Sequence, residues 1–271
     1  VSALQTGMIT SWPAEAFADL LGVEPPTNNG GTALPLLWHW FYVLDHAPQA
    51  DLGEDGHPAP SPLAVPSPPR AGMRRMFAGG RAENIAPLQI GRSATRRSSV
   101  LRAVTKRGRS GELTFVTVLH EIWQSRRRVI REEQDIVYRD ATREPSVVAP
   151  SEGAQAQVVP DGDAWMLDPS PSFLFRFSAL TYNAHRIHYD REYARDIEGY
   201  PGLLVHGPLQ ALAMAELARR NGFPGRHIEY RLVAPLFDLQ GMSVSADSRA
   251  NGILTEVRDA TGRVTASALI S

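Results

Sequence analysis

Gln210-Ala211-Leu212-Ala213-Met214-Ala215-Glu216-Leu217-Ala218 is the stretch that decides the fold. Small and aliphatic side chains cover nearly every face of it, and a helix apolar all round is buried on more than one side. Gly207-Pro208 opens it, and Arg219, Arg220 and Gly222 give it a basic last turn and a stop. Three β-like runs follow, roughly 239–247, 252–258 and 263–270, turned at Asn251-Gly252 and Thr261-Gly262. Asn-Gly between alternating apolar runs is a strong hairpin signal. One buried helix covering the apolar face of a mostly antiparallel sheet accounts for both features.

The pattern is written twice. Ile85-Ala86-Pro87-Leu88 with Gly91 echoes Val233-Ala234-Pro235-Leu236 with Gly241. Runs at roughly 92–104, 113–123 and 128–138 then echo the three later runs, and Leu34 to Leu44 stands where the second half has its helix. A repeat of this length argues for duplication within one fold. The expectation is an α+β chain of two units, 1–145 and 165–271, joined by a polar, proline-bearing linker over 142–164. Between Asp45 and Arg70 lies a loop with Pro48, Gly53, Gly56, Pro58, Pro60, Pro62, Pro66, Pro68 and Pro69, without a counterpart in the second half. So long a loop is functional or disordered.

The chain has 271 residues, 43% hydrophobic and 21% charged, and a net charge of −1. These are the proportions of a globular protein with a real core. No apolar run reaches the ~18 residues of a membrane span, and Val1 to Thr6 lacks the basic head and apolar core of a secretion signal. The start at Val1 leaves room for a trimmed upstream segment. Cysteine is absent, which excludes disulfides, thiolate zinc sites and a cysteine nucleophile, and the cytoplasm is the expected location. Residues 70–131 hold 15 Arg and Lys against Glu83, Glu112 and Glu121. No nucleic-acid reader motif accompanies that charge, which suits a solvated face or a groove for an anionic cofactor.

The chemistry concentrates in Asn183-Ala184-His185-Arg186-Ile187-His188-Tyr189-Asp190, a polar turn after the apolar Phe173, Leu174, Phe175 and Phe177. A base on a turn facing a helix N-terminus is suited to adding or removing water beside a thioester carbonyl. Read as bare residues, His185 and His188 can also be metal ligands with Asn183 or Asp190, or imidazoles satisfying buried carbonyls. No further ligand cluster appears, so no metal is expected. Trp38, His39 and Trp40 read as core, and Gly79-Gly80 as a bulge or turn.

The run resembles the motif of the MaoC-like hydratases and dehydratases, a strand and then Asp-x-Asn-Pro-x-His-x-Asp, followed about twenty residues later by a Gly opening the central helix. That resemblance covers nearly the whole chain and implies a double hot-dog fold, two long helices each wrapped by a curved antiparallel sheet. His188 falls on the family's catalytic histidine and Gly207 on its oxyanion glycine. Asn183 replaces the catalytic Asp and His185 the Asn. With Leu36-Leu37-Trp38-His39-Trp40 and Arg75-Met76-Phe77-Ala78-Gly79-Gly80-Arg81, this substituted form is similar to the subgroup that hydrates mesaconyl-C4-CoA (3-methylfumaryl-CoA) or itaconyl-CoA.

The resemblance implies a lyase whose partner is a small-molecule acyl-CoA, with no cofactor beyond the substrate's own coenzyme A. His188, of a side-chain type that titrates near neutrality when unperturbed, activates water, with His185 as a second proton carrier or orienting group. Asn183, unable to ionise, holds the water by hydrogen bonds. The oxyanion donors are the N–H groups of Gly207, Leu209 and Gln210 beside His206, since Pro208 has none. Asp190 fixes an imidazole tautomer or caps the next helix. A distal carboxylate calls for an arginine, with Arg75, Arg81 and Arg186 as candidates. The first half, without a His-x-x-His run, is read as the degenerate unit that accommodates the acyl group. A thioesterase, a non-catalytic thioester-binding module and a dehydratase of acyl-carrier-protein substrates stay open. A chain already holding two units is expected as a monomer or homodimer.

Overall fold

A computed structural model describes residues 2–26, 32–58, 73–108, 111–140 and 164–271. The first half contributes β1 (Ser2–Met8), α1 (Trp12–Leu21), β2 (Met73–Asn84), β3 (Ser93–Gly108), β4 (Gly111–Gln124) and β5 (Arg127–Asp140). The second contributes β6 (Trp165–Leu167), α2 (Pro171–Thr181), α3 (Gly207–Arg220), β7 (His227–Leu232), β8 (Met242–Arg249), β9 (Gly252–Arg258) and β10 (Val264–Ile270). Among the described residues no helix is long and apolar enough to cross a membrane. The proline-rich loop beyond residue 58, and the linker up to residue 163, lie outside the described residues.

All ten strands form one sheet in the order β1-β3-β4-β5-β2-β7-β10-β9-β8-β6. This is one five-strand pattern followed by its own reversal, so the duplication read from sequence is the sheet's symmetry. The seam is the antiparallel pairing of β2 with β7, from Gly79↔Arg231 to Glu83↔His227. A bulge between Phe77 and Gly79 re-aims β2 there, as the two glycines suggested. Gly79 has φ of 150°, and a side chain on it would overlap the Tyr230 carbonyl. Only glycine fits.

Helix α3 packs on β8, β9 and β10, and every residue from Leu209 to Ala218 is buried. The one charge in that buried stretch, Glu216, is tied to Arg219 at 2.6 Å, and Thr265 on β10 donates to Gln210 Oε1 at 2.7 Å. The first half lacks this helix among the described residues. Leu34 to Leu44 was expected to be helical, but only Trp38–Phe41 forms a 3-10 turn. Pro35 removes a donor, and Leu37 and Val43 sit at φ of 68° and 51°, outside the helical region.

Matching backbone bonds set the correspondence between halves. Leu34 N–H donates to Leu88 C=O at 2.9 Å, and Val205 N–H to Leu236 C=O at 2.8 Å. The Trp38–Phe41 turn therefore occupies the place of the first turn of α3. His39 Nε2 and Trp40 Nε1 each lie 2.8 Å from Glu132 on β5, where Gln210 meets Thr265 in the other half. Burial pushes the Glu132 carboxyl up, but His39, His120 and Gln134 outweigh it and hold it down at about 2. Helix α1, absent from the sequence reading, packs on α2 through Phe17 and Phe177, whose rings are 6.2 Å apart.

Candidate functional site

Where the resemblance implied a strand before the motif, residues 171–181 instead form the helix α2, begun by Ser170 accepting from Phe173 N–H and by Pro171. Tyr182, at φ of 53°, stops the helix and turns the chain. Asn183 N–H then bonds Ser178 C=O at 2.8 Å, and its Oδ1 accepts from His185 N–H at 3.0 Å. That Asx turn takes one lone pair of the Asn183 oxygen and leaves its amide NH2 and a second lone pair to hold water. A 3-10 turn, Arg186–His188, then carries His188 inward.

His188 is buried, with Nδ1 2.7 Å from the Leu204 carbonyl oxygen. A carbonyl only accepts, so Nδ1 carries the hydrogen and Nε2 presents a lone pair. The ring stacks on His206 at 3.7 Å between centroids and 18° between planes. His206 immediately precedes Gly207, which puts His188 beside the start of α3. Gly207 N–H and Leu209 N–H have no acceptor among the described residues, whereas Gln210 N–H bonds His206 C=O at 3.2 Å. Gln210 is thus removed from the expected donors. The Leu209 side chain is in the core, leaving only its N–H for a ligand. A side chain at 207 would overlap Leu232 and approach Phe77 Cδ1 to 3.3 Å, so glycine lets β7 close over the helix start.

His188 does not keep the near-neutral titration of an unperturbed imidazole. Burial, with the charge of His57 adding to it, lowers it to about 4, although the bond to Leu204 acts upward. His206, which lies 2.9 Å from Ser178 Oγ through Nε2, is pushed well down by burial and by His188 and His185. His185 is lowered by burial first, then by His57, His188 and Arg75.

The three arginines separate. Arg186 bonds Asp190 at 2.8 and 3.0 Å, reaches the Glu54 carbonyl and lies over Tyr193 at 4.1 Å, on the outer surface. Asp190 in turn caps the next helical turn by accepting from Tyr193 N–H at 3.0 Å and does not orient an imidazole. Arg81 pairs with Glu133 and Asp135 on the sheet face opposite the buried Glu132, because side chains alternate along β2 and β5. Neither faces the histidines. Arg75, two residues before Phe77 and on its face, lies close enough to His185 to lower it. Burial lowers Arg75 as well, against Tyr138, Asp55 and Asp45, and it forms no ion pair or hydrogen bond with a described residue.

Sequence reasoning missed Asp55 and His57. Both belong to the proline-rich loop, whose described part folds onto the Ala184–Arg186 turn. Asp55 Oδ2 lies 3.0 Å from His57 Nδ1, and the His57 and His185 rings are 4.0 Å apart. Ligand-type atoms of Asp55, His57 and His185 all fall within 4.8 Å of one another. The available signal was Gly53-Glu54-Asp55-Gly56-His57-Pro58, an ionisable pair between turn formers in an unmatched loop. A cleft of about 270 Å³ lies on the outer side, between Leu52, Glu54, Arg186 and Tyr189.

Residues 37–238 match the family described as hydroxyacyl-thioester dehydratase type 2. The chain is 45% identical over 262 residues to the mesaconyl-C(4)-CoA hydratase of Chloroflexus aurantiacus, covering 95% of this chain and 91% of that one. Among solved structures, HtdX of Mycobacterium tuberculosis superposes with a TM-score of 0.70 at 15% identity, over 100% of this chain and 99% of that one. A further M. tuberculosis protein, whose structure has a double hot-dog fold, gives 0.54 at 15% identity, over 99% and 94%. The double hot-dog expectation holds.

Proposed function

The chain belongs to the hydroxyacyl-thioester dehydratase type 2 family, and on that premise we propose that it is a hydro-lyase acting on α,β-unsaturated acyl-CoA thioesters. The substrate proposed is a branched C5 dicarboxylyl ester, mesaconyl-C4-CoA or itaconyl-CoA. Identity to a relative named for mesaconyl-C4-CoA supports that choice, as does Arg75, an arginine near His185 that forms no ion pair with a carboxylate among the described residues. One observation supports the reading most: His188, its Nδ1 taken by the Leu204 carbonyl, stacks on His206, the residue before Gly207, whose N–H has no acceptor among the described residues.

In this reaction Nε2 of His188 takes the proton of water as the oxygen bonds to Cβ. Negative charge moves to the thioester oxygen, where the N–H groups of Gly207 and Leu209 and the dipole of α3 stabilise it. Arg75 holds the distal carboxylate with a charge-assisted bond. The 1–145 unit accommodates the acyl chain, and the 165–271 unit supplies His188 and the helix terminus. Adding water to a double bond is acid–base chemistry without electron or group transfer, so the proposed reaction calls for no cofactor. The two units share one sheet, which supports a monomer or homodimer. A CoA substrate, too charged to cross a bilayer, supports the cytoplasm.

Incubation with mesaconyl-C4-CoA is expected to bleach the enoyl-thioester absorbance without releasing free thiol. His188→Gln is expected to lose at least about a hundredfold in kcat with an unchanged Tm. Retained activity in that variant removes His188 as the base, and thiol release replaces hydration by thioester hydrolysis.

A further inference from the structure

Hydrating a double bond moves two protons, one leaving water and one arriving at Cα. Asn183 has none to exchange, and His188 has one free nitrogen. We propose that His57 is the second proton-transfer group of this site, exchanging the Cα proton through Nε2, with Asp55 as its positioning residue. This rests on the hydro-lyase reading and adds a catalytic group from the other half of the chain.

The geometry of the pair is that of an oriented base. Asp55 accepts twice from His57, from its backbone N–H at 2.9 Å and at Nδ1 at 3.0 Å, which fixes the ring and leaves Nε2 free. Burial acts upward on the Asp55 carboxyl, but the bonds and charge of His57 prevail and hold it low, so it stays ionised. It can balance the charge His57 carries after taking a proton.

Placement beside the motif is built into the backbone. Arg186 N–H donates to Asp55 C=O at 2.9 Å, and Arg186 Nη1 to Glu54 C=O at 3.1 Å. Gly53 N–H donates to His57 C=O at 2.7 Å and closes the loop on itself. Gly56, at φ of 85°, lies so close to the Ala184 carbonyl that any side chain would overlap it. The rings then run in sequence, His57 to His185 at 4.0 Å, His185 to His188 at 5.5 Å and His188 to His206 at 3.7 Å.

The protons balance across that row. In hydration, water oxygen bonds to Cβ while its proton passes to His188 Nε2 and the π pair moves onto the thioester oxygen. The enolate re-forms the carbonyl as Cα takes the proton from Nε2 of protonated His57. The proton on His188, which burial makes easy to lose, returns to His57 past His185. The substrate has gained one water and the enzyme is as it began.

The test uses the full chain with mesaconyl-C4-CoA and crotonyl-CoA in deuterium oxide. The wild type is expected to place deuterium at Cα. His57→Ala should lose about a hundredfold or more in kcat with KM within roughly threefold, and added imidazole should restore part of the rate. Asp55→Asn should lose about tenfold in kcat, recovered by Asp55→Glu. A His57→Ala rate within about threefold of wild type overturns the inference and leaves the hydratase reading standing. So does a loss in both His57→Ala and His57→Gln that tracks a fall in Tm and ignores imidazole. Activity lost to EDTA and restored by zinc also overturns it, making Asp55, His57 and His185 ligands. A wild type that turns over neither ester overturns the underlying reading and the inference together.

Discussion

Arg75→Leu separates recognition from scaffolding. The guanidinium is partly withdrawn from water beside His185 and forms no ion pair with a described residue. The charges of Asp55 and Asp45 act on it, after that of Tyr138, without forming an ion pair. If the substrate's free carboxylate completes it, the variant forfeits one charge-assisted interaction, about 1.5–3 kcal/mol. That corresponds to about 10- to 150-fold in kcat/KM for mesaconyl-C4-CoA. Crotonyl-CoA has no second carboxylate, so its kcat/KM should stay within roughly threefold. Removing a cation that has no ion pair among the described residues should leave the Tm level or raise it, since desolvation no longer opposes folding. Steady-state rates on the two esters and a thermal scan read all three quantities. An equal loss on both esters, or a fall of several degrees in Tm, refutes the reasoning.

Gly207→Ala is expected to cost about 1–2 kcal/mol, because the displaced Leu232 is a flexible end, while kcat falls about tenfold or more as Leu232 and Phe77 shift beside the donor. Wild-type rates in that variant would remove the helix start from the site. Gly79→Ala meets the Tyr230 backbone carbonyl, which cannot yield, and should lose about 2–3 kcal/mol by urea unfolding; a loss under about 0.5 would contradict the seam described. Stability should also fall below neutrality. His188 and His120 are each lowered from 6.5 to about 4 by burial, so the unfolded chain takes up protons first as pH drops through that window. Their contribution is intact above 6.5 and shrinks by about 2 kcal/mol per group near pH 5, and equal urea midpoints near pH 7.5 and 5 would contradict it.

Sequence carried the second half well because its signals are local. A helix apolar all round, Asn251-Gly252 and the spacing from His188 to Gly207 each specify their own geometry. In the first half β3, β4 and β5 were legible for the same reason, whereas β1 and β2 were not read. Leu34 to Leu44 misled because its apolar content serves a buried turn, and the obstruction lies in the backbone angles of Leu37 and Val43. Arg75, Arg81 and Arg186 could not be ranked, since which face a strand residue occupies depends on a bulge at Phe77 and Gly79. His57 was invisible for a different reason. Its meaning comes from a contact 128 residues away, at His185.

The docking of the Asp55–His57 loop relies on main-chain bonds and on a glycine pressed against the opposite turn. Such an attachment is indifferent to what hangs from position 57. Evolution, or a protein engineer, can therefore exchange the group delivered there without re-solving how to deliver it, and the loop becomes a socket through which one scaffold acquires different reactivities.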